Sequence, residues 1–252
     1  MLIKTIDVNC DLGEGVGNES VLMPLISSCN IACGGHAGDL STMSHVVELA
    51  KAYNVKIGAH PSFPDKKNFG RLIMNMSSND LFDTLKFQIE SLKSIVEAQQ
   101  LKLHHIKPHG ALYNLASVDV ATATTVVNVI KSIDVDLVLY VPFGSVISKI
   151  AQQEGLKVMF EGFADRNYNE DLTLVSRTEP NAMIYDPFKM FAHVYNMISH
   201  GKVTTSNGVE VSLKVDTFCM HGDGNNVEEN LRFLLKNLAT KSIQINVFNY
   251  GF

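Results

Sequence analysis

Seven short apolar runs, each followed by a stretch of helical periodicity, recur along this 252-residue chain. No other feature narrows the possible folds as much. The runs fall at about 3–9, 29–33, 55–60, 103–108, 136–141, 157–161 and 214–220. They are rich in Val, Ile and Leu, as strands buried on both faces are. Strands that alternate with helices join into a parallel sheet. Seven of them in this length suit an irregular closed barrel better than an open, doubly wound sheet. The expected architecture is one α/β domain over 1–252, an irregular seven-stranded parallel (β/α) barrel.

The intervening helices carry their own punctuation. Met43, Val46, Val47 and Ala50 form a stripe behind Asp39, a candidate N-cap. Leu81, Leu85, Ile89, Leu92 and Val96 form another, opened by Ser77 or Ser78. Residues 117–132 and 143–154 fit two more, and Gly155 is placed to end the second. Asp186–Pro187 opens a helix through Phe188, Phe191, Tyr195 and Ile198 that Gly201 closes. A last helix starts near Asn225, with Glu228 three residues on, and repeats Val227, Leu231, Leu234 and Leu238. KVTTSNGVEVS (202–212) interrupts the rhythm. Its Asn207–Gly208 between alternating residues predicts a β-hairpin with a type I′ turn, an excursion from the main sheet.

The polar residues follow this frame. Asp7, Asn9 and Asp11 alternate along the first run and share one face. His36 and Asp39 come after the second run, and His60 ends the third. Lys107 and His109 flank Pro108 at the end of the fourth. Glu161, Asp165 and Arg166 follow the sixth, and His221 and Asp223 the seventh. These are the C-terminal ends of the strands, where parallel β/α folds gather their reactive groups. Pro108 keeps Lys107 extended, so period two aims Lys107 and His109 the same way, and Gly110 lets the chain turn. A lysine inside a barrel requires carboxylates nearby, which the first strand supplies.

Plainer roles exist for single residues. A lone histidine such as His36 or His60 is more often a hydrogen-bonder than a catalyst. Asp39 has a full role as a cap, and Arg71 can simply pair with a carboxylate. His45, His193 and His200 lie on helices, and His104 and His105 open a strand; packing explains them. Cys10, Cys29, Cys33 and Cys219 form no CxxC pair and read as buried, reduced thiols. What packing does not explain is six strand ends that all carry ionisable groups.

Several classes of function are excluded. The net charge is −5, and no basic stripe offers itself to nucleic acid. No uncharged apolar run approaches the ~18 residues that would span a bilayer. MLIKTIDVN passes straight into an alternating pattern, so no signal peptide and a cytoplasmic location are expected. HGDGNN (221–226) lacks the lysine of a phosphate loop, and GxGxxG, GxSxG and HExxH are absent. Any metal site must therefore be assembled from separate strands. Asp11, His60 and His109 could offer one carboxylate and two imidazoles to such an ion, as in a metal-dependent amidase or deacetylase.

Taken in order, DVNCDLGEG (7–15), NIACGGHAGD (30–39), IGAHPSFPD with FGR (57–71), HIKPHGALYN (105–114), FADRNY (163–168), LVSR (174–177) and HGD (221–223) resemble the LamB/YcsF family. The resemblance runs from the first strand to the last helix. It implies a barrel akin to the polysaccharide-deacetylase barrels, and a role as the A component of the bacterial ATP-dependent 5-oxoprolinase. It further implies ATP with Mg2+ as co-substrate, partner subunits B and C, and a lactam substrate opened to L-glutamate. Gly35 departs from the bulkier residue expected there, but removes no polar group. On this reading Asp11, or Asp7, is the general base on water, and Lys107 stabilises negative charge. His109 or His60 protonates the departing nitrogen. Arg71 or Arg166 holds the substrate carboxylate. Asn9, Glu14, His36, Glu161, Asp165, His221 and Asp223 complete the binding set. A lactam-binding subunit without chemistry of its own is the remaining alternative.

Overall fold

The structure is a computed structural model that describes residues 3–224 and 226–246. Along the chain come β1 (Lys4–Leu12), the short α1 (Glu19–Leu22), β2 (Ser28–Ala32), α2 (Leu40–Tyr53), β3 (Lys56–His60) and α3 (Ser78–Ala98). Then follow β4 (His105–Ile106), α4 (Gly110–Ala116), α5 (Val120–Ile133), β5 (Val138–Pro142), α6 (Val146–Gln153) and β6 (Lys157–Phe163). The last stretch holds α7 (Pro187–His200), β7 (Lys202–Thr204), β8 (Glu210–Ser212), β9 (Thr217–Met220), α8 (Val227–Ala239) and β10 (Ile243–Ile245). β1 to β6 pair in sequence order, β9 follows β6, and β9 returns to β1, all in parallel. The result is the closed seven-stranded barrel expected from the sequence.

The helix caps sit where the punctuation put them. Asp39 accepts from the Thr42 N–H, Ser77 from Asp80, and Asp186 from Phe188 and Lys189. Gly201 ends α7 in the left-handed region at φ 62°. Leu85, Ile89 and Leu92 of α3 and Val126, Val127 and Ile130 of α5 are almost wholly buried. Each such side chain contributes about 1.5–3 kcal/mol.

Three details differ from expectation. The helix expected over 117–132 is α5, which starts at Val120 where Asp119 accepts from the Thr122 N–H, and the short α4 before it was not anticipated. The hairpin forms, but through the five-residue connection 205–209; Gly208 has positive φ and Asn207 does not, so the turn is not type I′. The Thr205 hydroxyl widens it by bonding to Val209. β10 was not anticipated, although Ile243 and Ile245 alternate; it extends the ladder beside Lys4–Ile6. The predicted helix start at Asn225 lies outside the described residues, and the helix itself runs from Val227.

The barrel interior is polar over much of its height. At the floor, Asp7 accepts from the hydroxyls of Ser28 (2.6 Å) and Thr217 (2.7 Å) and lies 3.3 Å from Lys56 Nζ. Above it, Asn30 donates to Asn9 at 2.8 Å, and His105 meets Asn30 Oδ1 at 2.8 Å. A Cβ at Gly58 would fall 2.1 Å from His105 Nε2, so the glycine in β3 makes room for this ring. Buried polar networks of this kind are stabilising only when their members are satisfied, and they fix a unique arrangement.

Candidate active site

The topmost tier opens into a cavity of about 810 Å3 at the C-terminal ends of the strands. Lys107 stands at its centre. Its ammonium lies 2.9 Å from Asp11 Oδ1 and 2.9 Å from Glu161 Oε1, bridging β1 to β6 across the barrel. Cys219 Sγ, 3.0 Å away, is a third neighbour. Burial opposes the charge of Lys107, yet Asp11, Cys219 and Glu161 raise its pKa well above the ordinary value. Burial likewise opposes the charge on Asp11, but His60 and Lys107 outweigh it and hold the carboxyl well below the usual range. Glu161 makes its ion pair without a well-aligned hydrogen bond to either oxygen.

Beside this trio lies a group of imidazoles. His60 Nδ1 is 2.7 Å from the Lys107 carbonyl, and His109 Nε2 is 2.9 Å from the Phe69 carbonyl. His60 Nε2 and His109 Nδ1 face one another at 3.0 Å. Glu14 Oε1 lies 3.4 Å from His109 Nδ1, 3.9 Å from His60 Nε2 and 2.8 Å from His36 Nε2. The His36 ring stacks on His109 at 3.6 Å. Burial and the neighbouring Asp11 push Glu14 up to about 7, and burial lowers His36 to about 4. Glu14, His36, His60 and His109 are close enough to share a metal ion, as are Asp11, Cys219 and His221.

At the end of β9, the strand beside β1, Asp165 orients His221. Its carboxylate receives the backbone N–H of His221 at 3.1 Å and faces the ring Nδ1 at 3.0 Å. Burial works against the Asp165 charge, but His221 holds its pKa below the ordinary value. Arg71 pairs with Asp223 at 2.8 Å and rests over the Phe69 ring at the rim. Arg166 donates to the carbonyls of Val175 (2.6 Å) and Ala182 (3.4 Å), which ties down the loop after β6.

Ten of the fourteen predicted site residues line the cavity: Asp11, Glu14, His60, Arg71, Lys107, His109, Glu161, Arg166, His221 and Asp223. Four do not. Asp7 sits on the floor with its oxygens engaged by Ser28, Thr217 and Lys56, away from any substrate position. Asn9 belongs to the middle tier, while His36 and Asp165 stand behind Glu14 and His221. Asp39 is a cap. Gly35 faces Gln88 and Ser62, where a Cβ would collide at 2.4 Å, and it does not shape the cavity. Sequence reasoning missed the aromatic wall of Phe69, Tyr113, Phe163 and Tyr168. It also missed Cys219 as a contact of Lys107. Its spacing of two from His221 was the available signal.

Comparison with known proteins agrees with this geometry. A family profile described as LamB/YcsF matches residues 6–250. A protein of Shouchella clausii, named as the A component of 5-oxoprolinase, is 44% identical over 227 residues, 88% of this chain and 90% of its own. A protein of the same name from Clostridium beijerinckii is 42% identical over 245 residues, 95% of this chain and 96% of its own. Among solved structures, a lactam utilization protein from Thermus thermophilus superposes with a TM-score of 0.91 at 36% identity, over 97% of this chain and 100% of that one. A putative cellobiose-phosphate cleavage protein from Enterococcus faecalis shares the fold alone, with a TM-score of 0.56 at 11% identity, over 97% of each chain.

Proposed function

The chain belongs to the LamB/YcsF family, and on that premise we propose that it acts in the cytoplasm as the A component of a 5-oxoprolinase. It opens the ring of 5-oxo-L-proline to L-glutamate, with ATP and Mg2+ as co-substrate and with subunits B and C as partners. The names of relatives 40–44% identical over most of their length support the reading. The observation that carries it is the buried Asp11–Lys107–Glu161 arrangement at the base of a cavity several-fold larger than a small lactam. The extra space accommodates a phosphoryl group.

The chemistry follows from the stability of a five-membered lactam. Its carbonyl is an unactivated amide, so direct attack by water is slow. Transfer of the ATP γ-phosphoryl group to the carbonyl oxygen breaks the bond to ADP and leaves an electrophilic imidate carbon. Water adds to that carbon and gives its proton to the oxygen of Asp11 that Lys107 and Asn30 do not occupy. Lys107 faces the growing negative charge. The ring C–N bond then breaks, and its nitrogen takes a proton. His221, aimed by Asp165, suits this step better than His60 or His109, whose other ring nitrogens face each other at 3.0 Å. A second water releases phosphate. The sum is lactam, ATP and two waters to glutamate, ADP and phosphate.

The deciding measurement is phosphate release that depends on 5-oxoproline, with the chain alone and with its partner subunits. Release that requires the lactam and all subunits is expected. Lactam-independent release, or equal release without this chain, would reject the assignment.

A further inference from the structure

We infer that Glu14, His60 and His109 form a binding site for one divalent transition-metal ion of the zinc class, with Asp11 beside it. The argument begins with the tautomers. A carbonyl oxygen only accepts, so the Lys107 carbonyl at 2.7 Å places the His60 proton on Nδ1. The Phe69 carbonyl at 2.9 Å places the His109 proton on Nε2. In the neutral rings the remaining nitrogens, His60 Nε2 and His109 Nδ1, carry no hydrogen, and they face each other at 3.0 Å inside a buried site. Two lone pairs at that distance repel unless a cation lies between them.

The surrounding atoms fit such a cation. Glu14 Oε1 stands 3.4 Å from His109 Nδ1 and 3.9 Å from His60 Nε2, and Asp11 Oδ2 stands 3.4 Å from His60 Nε2. Bonds of about 2.0–2.2 Å around a tetrahedral ion separate neighbouring ligand atoms by roughly 3.3–3.6 Å. The separations here bracket that range. Neutral imidazoles with a carboxylate suit zinc, cobalt or manganese, whereas a soft thiolate set would favour copper(I).

The carboxylate is Glu14 more than the Asp11 that spacing suggested. Asp11 Oδ2 approaches His60 Nε2, whereas Glu14 Oε1 lies near the free nitrogens of both rings. That same Glu14 oxygen faces His36 Nε2 at 2.8 Å, the kind of outer hydrogen bond that orients ligating carboxylates. Glu14, His60 and His109 all line the cavity. A bound ion would therefore offer its open position to a carbonyl or phosphoryl oxygen near Lys107.

The site can be tested without lactam, ATP or partner subunits, so its failure is separate from failure of the 5-oxoprolinase reading. The chain is stripped with a chelator, given Zn2+ or Co2+, desalted, and its metal content measured. About one ion per chain is expected, with Co2+ giving the intense visible absorption of a low-coordinate nitrogen–oxygen site. His60→Ala and His109→Ala should each abolish retention, and Glu14→Gln should weaken it roughly 10-fold or more, by the scale of ligand-shell mutations. His104→Ala, outside the cluster, should retain the ion. Absence of stoichiometric metal in the wild-type chain overturns the site and leaves a shared proton between the rings. Retention by both histidine variants overturns it as well, because the ion then lies elsewhere. Should either histidine variant fail to fold by circular dichroism, Glu14→Gln and the wild-type cobalt spectrum decide the matter.

Discussion

Lys107 is charged inside the barrel because Asp11 and Glu161 meet it from opposite sides. Removing one member of a buried ionic group leaves the others uncompensated, at about 3–5 kcal/mol. Lys107→Met, which keeps the length of the side chain, should therefore lose about that much stability in urea denaturation. Adding Glu161→Gln to it should restore part of the loss, since one of the stranded carboxylates disappears; strict additivity would argue against the coupling. Asp165 gives a second test, by pH. Burial alone would raise its pKa, but His221 holds it lower, so its folded pKa lies below the unfolded value of about 3.9. The sign is that of a depressed acid: the stabilisation is present above about pH 4 and disappears as pH falls through the folded pKa. Wild-type stability should accordingly decline more steeply below about pH 4 than that of Asp165→Asn, as read from denaturation midpoints. Equal slopes would remove the Asp165–His221 pair from the account.

The turn from β4 into α4 is where backbone geometry and chemistry meet most closely. Lys107 and His109 keep pairing with β3 through N–H bonds to the carbonyls of Ala59 and Pro61, although Pro108 between them has no N–H to give. Gly110 then starts α4 at φ +52°, and a Cβ there would lie 2.7 Å from the Gly70 carbonyl. Gly110→Ala should cost about 1–3 kcal/mol through this positive φ. It should also lower turnover, because the displaced segment 69–71 carries the Phe69 carbonyl that orients His109. A variant with normal melting and normal turnover would show that the contact relaxes freely. This turn was legible in KPHG, since proline and glycine act locally. The seven strands and the caps of α2, α3 and α7 were legible for the same reason. What escaped has two causes. β10 needs the distant β1 beside it. The hairpin loop, set by the Thr205 hydroxyl, and the Asp119 cap that starts α5 turn instead on short-range side-chain hydrogen bonds, whose choice among several candidates the residue pattern does not fix. In the site, ionisable residues announced themselves, whereas Phe69, Tyr113 and Phe163 read as ordinary core until the barrel placed them at the cavity.

The closed barrel gives one face of β1 two separate tasks at two heights. Asp7, Asn9 and Asp11 share that face, and alternation alone made Asp7 and Asp11 interchangeable. Closure distinguishes them. Asp7 lies where β9 meets β1, level with Thr217, and its hydrogen bonds join β1 to β2 and β9 at the floor. Asp11 lies four residues further along β1, against Lys107 at the cavity. The two asparagine variants should therefore separate. Asp7→Asn removes a charge that receives two hydroxyl donors, and hydrogen bonds to charged groups contribute about 1.5–3 kcal/mol. It should lower the thermal midpoint by roughly 2–4 °C for each kcal/mol lost in a chain of this size. Its kcat and KM in the reconstituted system should stay near wild type. Asp11→Asn keeps an amide oxygen for Lys107 and Asn30 to reach, and Glu161 still answers the lysine, so it should lose stability yet remain folded, with no carboxylate to take a proton from water. Its 5-oxoproline-dependent phosphate release should fall to background. If Asp7→Asn instead silenced turnover at full folding, the floor and mouth of the barrel would form one electrostatic unit, and Asp11 would lose its separate role.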